Sequence, residues 1–194
     1  MLNSEKDVRE IIIEAARGIF ARFGFRKTTM DEIAQLAHKA KSSIYHYFKS
    51  KEEVFQAIVE KESQLLKTEI IKAMSQEDTP QKKLRAYVIT RMHTLQRLAN
   101  FYNALKDEYL EHYGFIEKLR EKHDKEETKI IKEILNEGIE RGIYDINDLE
   151  VTAFAILTAL KGLEYAWIKE KDVPKIEKNI DSLLRIVFNG IVKR

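Results

Sequence analysis

TTMDEIAQLAHKAKSSIYHYFKSKEEVF, residues 28–55, decides the fold. Thr29-Met-Asp-Glu32 is a capping box, with a Thr oxygen on the third helical N–H and Glu reaching back. It predicts a short helix from Met30 to Ala37. A second short helix is expected around Lys41 to Tyr47. Ser50-Lys-Glu-Glu53 repeats the capping pattern and opens a longer helix through Val54, Phe55, Ile58, Val59, Leu65 and Leu66, ending near Met74. Two short helices joined by a tight turn form a helix-turn-helix, whose second helix enters the DNA major groove. Ile44 and Phe48 stand four apart and anchor one face, which leaves Lys41, Ser42, Ser43, Tyr45, His46 and Tyr47 for the others. Lys can donate to guanine, and Ser and His can bond base edges or phosphate. Tyr hydroxyls commonly reach phosphate. Lys51 adds charge beside the free N–H groups of the next helix. Taken singly, each residue keeps a plainer reading: Thr29, Ser50 and Lys51 as caps and surface charge, Tyr45 and Tyr47 as packing aromatics.

Working outward, the pattern is helical almost throughout. Val8, Ile12, Ala15, Ala16, Ile19 and Phe23 fall three or four apart on one face of a first helix, with Gly24 as its stop. SQEDTPQ, residues 75–81, is the clearest break. The next helix carries Leu84, Tyr87, Val88, Arg91, Leu95 and Leu98. Leu105, Tyr109, His112 and Tyr113 form a further stripe up to Gly114. A long helix is expected from Phe115 to about Arg141, closed by Gly142. Asn147-Asp-Leu-Glu150 is a third capping box, and a last helix follows Pro174. The expected class is all-α, with about nine helices and no sheet.

Composition agrees. Hydrophobic residues make up 44% and charged residues 34% of 194, enough for a sizeable core. Only 7 Gly and 2 Pro occur, too little punctuation for a many-turned β fold. The absence of Cys removes disulfides and thiolate sites and fits a reducing cytoplasm. MLNSEKDVRE is charged, so no signal peptide is expected there. No apolar run approaches the ~20 residues of a membrane span, so no membrane partner is expected. Residues 1–51 carry ten basic and six acidic side chains, a net +4, which leaves −2 for the rest. A basic head fits a polyanion partner; chance asymmetry among surface charges is the competing reading.

The quoted stretch resembles the DNA-binding signature of the TetR family of bacterial transcriptional regulators, and the preceding IIEAARGIFARFGF resembles that family's first helix. The resemblance covers roughly residues 8–56 without a gap. It implies a three-helix DNA-binding domain at 1–50 and a helical effector-binding and dimerisation domain at 51–194, linked by the helix from Ser50. Carried over, it implies that Lys41, Ser42, Ser43, Tyr45 and His46 face bases or nearby phosphates. Tyr47, Lys51 and Thr29 would hold the phosphate backbone. Two departures matter. The family usually has Gly then Val in the turn, where this chain has His38 and Lys39. His at a positive φ is tolerated at some cost, and Lys39 is expected to reach solvent or phosphate. Ala40 stands where many members have a capping Ser, a loss of roughly 1 kcal/mol.

Towards the C-terminus, helices at 148–168 and 175–192 carry more apolar residues than one stripe needs. The excess predicts a partner surface, with burial inside a monomer as the alternative. The resemblance implies a four-helix homodimer interface; Phe154, Leu157, Leu160, Leu163, Ile180, Leu184, Val187 and Phe188 are its candidates, with Gly162 allowing close approach. Two recognition helices on a two-fold axis would then read a palindrome of double-stranded DNA. The resemblance also implies a small-molecule effector pocket between residues 53 and 168. Its candidates are Tyr87, Arg91, His93, Tyr102, Tyr109, Tyr113 and Trp167. One further candidate comes from periodicity. Ile116, Leu119, Ile130 and Ile134 form a stripe interrupted by His123 and Glu127, which are four apart and share a face. The stretch EKLREKHDKEETK, residues 117–129, is expected to project into solvent; the alternative is an effector contact at His123.

An enzyme is the main rival class. A helical di-iron site needs Glu-x-x-His pairs, but Gln35, Ser43, Thr90, Tyr109 and Arg120 stand three before the five His residues. No zinc-protease, nucleophile-elbow or phosphate-loop motif occurs. Hence neither catalysis, metal nor cofactor is expected. The function expected is a cytoplasmic, sequence-specific repressor released from a palindromic operator by a small molecule. A related activator, or a nucleoid-type protein without sequence preference, is the alternative.

Overall fold

The computed structural model describes residues 2–106, 113–169 and 172–191, and their side chains except at 2–7, 105–106, 165–169, 173 and 191. Nine helices and no strand occur among the described residues: α1 (Leu2–Lys27), α2 (Met30–Leu36), α3 (Lys41–Tyr47), α4 (Lys51–Met74), α5 (Pro80–Arg97), α6 (Ala99–Lys106), α7 (Gly114–Glu140), α8 (Leu149–Lys169) and α9 (Val173–Ile191). The all-α class and helix count are those expected. The chain divides into two compact units, Met1–Gln64 with Leu98–Glu117, and Leu65–Arg97 with Lys118–Arg194.

In the first unit α1 packs on α2 and α6, and α2 on α3. Ile12, Ile13, Ala16 and Phe20 of α1 are buried, as are Ile33, Ile44, Phe48, Val54, Phe55, Ile58 and Phe101. Phe20, Phe25 and Phe55 form an aromatic cluster with centroids 5.0–5.9 Å apart. The first helix corrects one expectation. Phe23 is 52% exposed and Phe25 is buried instead. Gly24 breaks the helical path at φ 78°, ψ 166°, a conformation glycine adopts without steric penalty. The chain turns there, and the inward position passes from residue 23 to 25. The box at Thr29 forms in full: Glu32 N–H donates to Thr29 Oγ1 at 3.3 Å, and Thr29 N–H to Glu32 Oε2 at 2.8 Å. At α4 it forms by half. Glu53 N–H donates to Ser50 Oγ at 3.3 Å, but the Glu53 carboxylate accepts from Lys49 N–H at 2.7 Å.

In the second unit α5 packs against α8 and α9. Leu84, Val88, Met92 and Leu95 of α5 are buried, with Ile131, Ile134 and Leu135 of α7, Ala153, Leu157 and Leu160 of α8, and Ile176, Ile180 and Leu184 of α9. The cap of α8 lies one residue later than the sequence pattern implied. Val151 N–H donates to Asp148 Oδ1 at 2.9 Å, so Asp148 caps rather than Asn147. Gly138 faces the Tyr144 ring so closely that a Cβ there would lie 2.0 Å from a ring carbon. Among the described residues, no helix is long and apolar enough to cross a membrane, and no group of three or more His, Asp and Glu is placed to hold a metal ion.

Candidate nucleic-acid interface and buried polar cluster

The turn between α2 and α3 is set by backbone geometry. Ala37 ends α2: its N–H donates to the Ile33 carbonyl at 2.9 Å, and the His38 N–H donates to the Gln35 carbonyl at 3.2 Å. His38 follows at φ 51°, the one non-glycine positive φ among the described residues. Ala40 then enters α3 at φ −63°, ψ 145° with no side-chain cap. The turn departs from the family's residues, yet two short helices still form on either side of it.

α3 is anchored as expected, with Ile44 and Phe48 buried. Lys41, Ser42, Tyr45 and His46 are exposed; Ser43 and Tyr47 are half-buried. The His46 and Tyr47 rings meet edge to face at 5.1 Å. Three nominated side chains already have intramolecular partners. Lys41 Nζ lies 2.6 Å from Asp31 Oδ1, and this hydrogen bond raises the lysine pKa. Thr29 Oγ1 accepts from Glu32 N–H and donates to the Glu32 carboxylate at 2.8 Å. Lys51 Nζ donates to Phe25 O at 2.9 Å and sits 4.4 Å above the Phe25 ring. An ammonium has three donors, so Lys51 keeps capacity for a phosphate. Sequence reading missed Asp31 as Lys41's partner, and Arg9, whose guanidinium lies 5.0 Å from the Phe48 ring centre.

A second polar centre lies inside the second unit. Arg91 is 0% exposed. Its Nε donates to Glu127 Oε1 at 2.5 Å and its Nη2 to Glu127 Oε2 at 3.0 Å; Nη2 also bonds Glu164. Tyr87 OH donates to Glu127 Oε1 at 2.7 Å, and His123 Nε2 stands 3.0 Å from Glu127 Oε2. Arg91 Nη1 is buried without a partner. Burial opposes the charge on Glu127, but Arg91 and His123 outweigh it and hold the carboxyl well below its usual range. Burial likewise opposes the charge on Arg91, and Glu127 with Glu164 keeps the guanidinium protonated. Burial, then the Glu127 charge, pushes the Tyr87 phenol well above its usual value.

This corrects the solvent-facing reading of residues 117–129: His123 and Glu127 point inward and are buried. The face turns in because Arg91 and Tyr87 of α5 supply the partners a buried carboxylate needs. Of the effector candidates, Tyr87, Arg91 and His123 come together. His93 is half-buried, 3.9 Å from Glu177. Tyr102 and Tyr113 belong to the first unit, where the Tyr113 ring packs on Phe25 at 5.2 Å. Tyr109, and the side chain of Trp167, lie outside the described residues. Glu164 was missed; its signal was the one acid beyond the first turn of a mostly apolar helix. A cleft of about 470 Å³ also opens in this unit, floored by Ile71, Met74, Ile130 and Ile134 and edged by the Lys67–Glu126 and Lys83–Glu137 pairs.

The apolar excess of α8 and α9 divides in two. Leu157, Leu160, Ile180 and Leu184 are buried in the chain's own core, and Leu163, Val187 and Phe188 are half-buried. Phe188 stacks on Tyr144 at 6.3 Å. The exposed apolar and small residues are instead Phe154, 65% exposed, Val151, Ala155, Ala159 and Gly162 on α8, and Ile186, 70% exposed, on α9.

Comparison with known proteins meets this geometry at the same residues. A family model described as bacterial regulatory proteins, tetR family, matches residues 12–58. The chain is 28% identical to the HTH-type transcriptional regulator YhgD of Bacillus subtilis, over 95% of this chain and 97% of that one. It is 26% identical to the HTH-type transcriptional regulator QacR of Staphylococcus aureus, over 96% and 100%. The crystal structure of a transcriptional regulator from Cytophaga hutchinsonii superposes with a TM-score of 0.78 at 26% identity, covering 95% of this chain and 98% of that one. The helix-turn-helix, its anchored second helix and these full-length likenesses agree: residues 12–58 carry the DNA-binding region of the TetR family of bacterial transcriptional regulators, and the chain is a DNA-binding regulator.

Proposed function

We propose that the protein is a homodimeric repressor of the cytoplasm that reads a palindromic operator through α3 and leaves it when a small molecule binds the helical body. The observation that carries the reading is the division of α3. Ile44 and the adjoining Phe48 hold it in the core, while Lys41, Ser42, Tyr45 and His46 are exposed with base- or phosphate-bonding chemistry. Residues 1–50 would supply DNA binding, and 51–194 effector binding and dimerisation. The exposed apolar side chains of Val151 and Phe154 on α8 and Ile186 on α9 favour pairing with a second copy.

The Arg91–Glu127–Glu164 cluster, with Tyr87 and His123, supports the effector part. A buried ion cluster adds little net stability over a well-packed apolar one, and Arg91 keeps an unmet donor. Both facts favour a polar contact for an effector there.

Selection of bound fragments from a random duplex library at near-physiological salt tests the reading. An enriched palindrome is expected. Binding without enrichment would favour a nucleoid-type protein driven by phosphate contacts alone.

A further inference from the structure

The cleft of about 470 Å³ in the second unit differs from the Arg91 cluster in being open to solvent. Its lining residues all belong to that unit and come from the C-terminal part of α4, the start of α5 and α7. Ile134 is buried at its base, Met74 and Ile130 are half-buried, and Ile71 is 52% exposed. An isoleucine left half in water inside a concavity is apolar surface without a cover. An apolar floor with a few polar groups at its margin is the composition of a small-molecule site.

The margin is built of ion pairs, and they are not equivalent. Lys67 Nζ lies 3.4 Å from Glu126 Oε2, and Lys129 Nζ lies 3.9 Å from Glu133 Oε1. In both, one cation faces one carboxylate. The end at α5 is different. Lys83 Nζ donates to Glu137 Oε2 at 2.7 Å, and Arg141 Nη2 lies 2.6 Å from Oε1 of the same carboxylate. Two cations share one acid there, which leaves a surplus of positive charge. Arg141 Nη1 donates to the Asp78 carbonyl at 2.7 Å, a neutral acceptor that does not cancel the surplus. The neighbouring Lys82–Asp78 pair is one to one. An ammonium has three donors, so Lys83 keeps capacity for an anion beside the apolar floor.

Length narrows the ligand further. Glu126 and Glu137 are eleven residues apart on α7, about 16 Å along the helix. An extended saturated chain advances about 1.2 Å per bond, as a stretched backbone does, so roughly ten carbons with their head at Lys83 reach about 12 Å. Such a chain covers the floor and stops short of the Lys67–Glu126 pair.

We propose that the cleft between α4 and α7 binds a medium-length anionic amphiphile, its carboxylate on Lys83 and its chain over Ile71, Met74, Ile130 and Ile134. The site is separate from the Arg91 cluster, and its occupancy can be read without DNA.

Isothermal titration calorimetry of the full chain with decanoate, decanol and decyltrimethylammonium, each below the concentration at which it forms micelles, tests this. Decanoate is expected to bind about tenfold or more tightly than the cation of the same chain length. Each methylene removed from it is expected to weaken binding about threefold. K83A is expected to weaken decanoate about tenfold and to leave decanol within about twofold, a split that a lysine of purely structural role would not produce. K82A, on the neighbouring pair, is expected to change neither. I71N places an amide on the floor and is expected to weaken decanoate and decanol alike by about tenfold; if it does not fold, M74Q carries the same test. No binding of decanoate overturns the proposal, as does equal binding of decanoate and the cation. Unchanged decanoate affinity in K83A, or equal losses of decanoate and decanol there, overturns the role of Lys83 and with it the anionic class. Full decanoate binding in the floor variant would place the ligand elsewhere and overturn the site.

Discussion

Lys41 Nζ lies 2.6 Å from Asp31 Oδ1, so the first side chain of α3 is held by a carboxylate on α2. The pair is exposed and therefore open to competition from a phosphate or a base edge. It also places a negative charge beside the face proposed to read DNA. D31N is expected to tighten binding to all duplexes by several-fold, with reduced discrimination, because Lys41 is released and a repulsive charge is gone. K41A is expected to weaken binding to the enriched sequence by about tenfold. Fluorescence anisotropy against enriched and scrambled duplexes checks both; if D31N weakens binding, Asp31 serves to position Lys41.

The turn before α3 carries two local costs, His38 at φ 51° and Ala40 without a capping side chain. H38G is expected to stabilise by about 1 kcal/mol by removing left-handed strain, and A40S by roughly 1 kcal/mol by adding a cap. Thermal denaturation of each variant measures this. A fall in melting temperature for both would mean that these residues make contacts that outweigh the strain.

Gly138 and Tyr144 are coupled by space. G138A places a Cβ where the Tyr144 ring stands and is expected to cost about 1–3 kcal/mol through overpacking. In a Y144A background the same substitution is expected to cost little, because the obstacle is gone. Additive losses in urea unfolding would show that the ring does not set the constraint.

The Arg91–Glu127 pair fixes a pH dependence with a definite sign. The Glu127 carboxyl is held well below its usual range, chiefly because Arg91 and His123 outweigh the burial that opposes its charge. A lowered folded pKa contributes stability that is whole above the unfolded value, about 4.3, and is lost as pH falls below it. Unfolding free energy is therefore expected to drop below about pH 4.5 more steeply in the unaltered protein than in E127Q. R91A leaves buried carboxylates without their cation and is expected to cost about 3–5 kcal/mol. Equal slopes for the unaltered protein and E127Q would remove Glu127 as the source.

F154K and I186K replace the exposed apolar side chains of α8 and α9 with charge. Each is expected to turn a dimer into a monomer in sedimentation equilibrium, with helix content unchanged. A chain that sediments as the 22.8 kDa monomer before any substitution would contradict the dimer.

The helix-turn-helix was legible because its signals are local. Thr29 and Glu32 are three apart, Ile44 and Phe48 four apart, and each pair acts within one turn of helix. The buried cluster was not legible, because Arg91 meets Glu127 and Glu164 across 36 and 73 residues and no spacing encodes that. The polar gap at His123 and Glu127 was visible, but the charges around it also fit a solvated face; only α5 decides the matter. Phe23 and Phe25 exchanged places because one glycine left the helical path. The apolar surplus of α8 was evident, whereas its division into inner and outer faces depends on how α5 packs against it.

The most direct measurement is the ratio of dissociation constants for the enriched and a scrambled duplex at about 150 mM salt. A sequence-reading dimer is expected to prefer the enriched duplex about a thousandfold or more, with the preference collapsing in a Y45A/H46A double variant. A ratio near one, with both constants falling together as salt is lowered, would contradict sequence reading by α3.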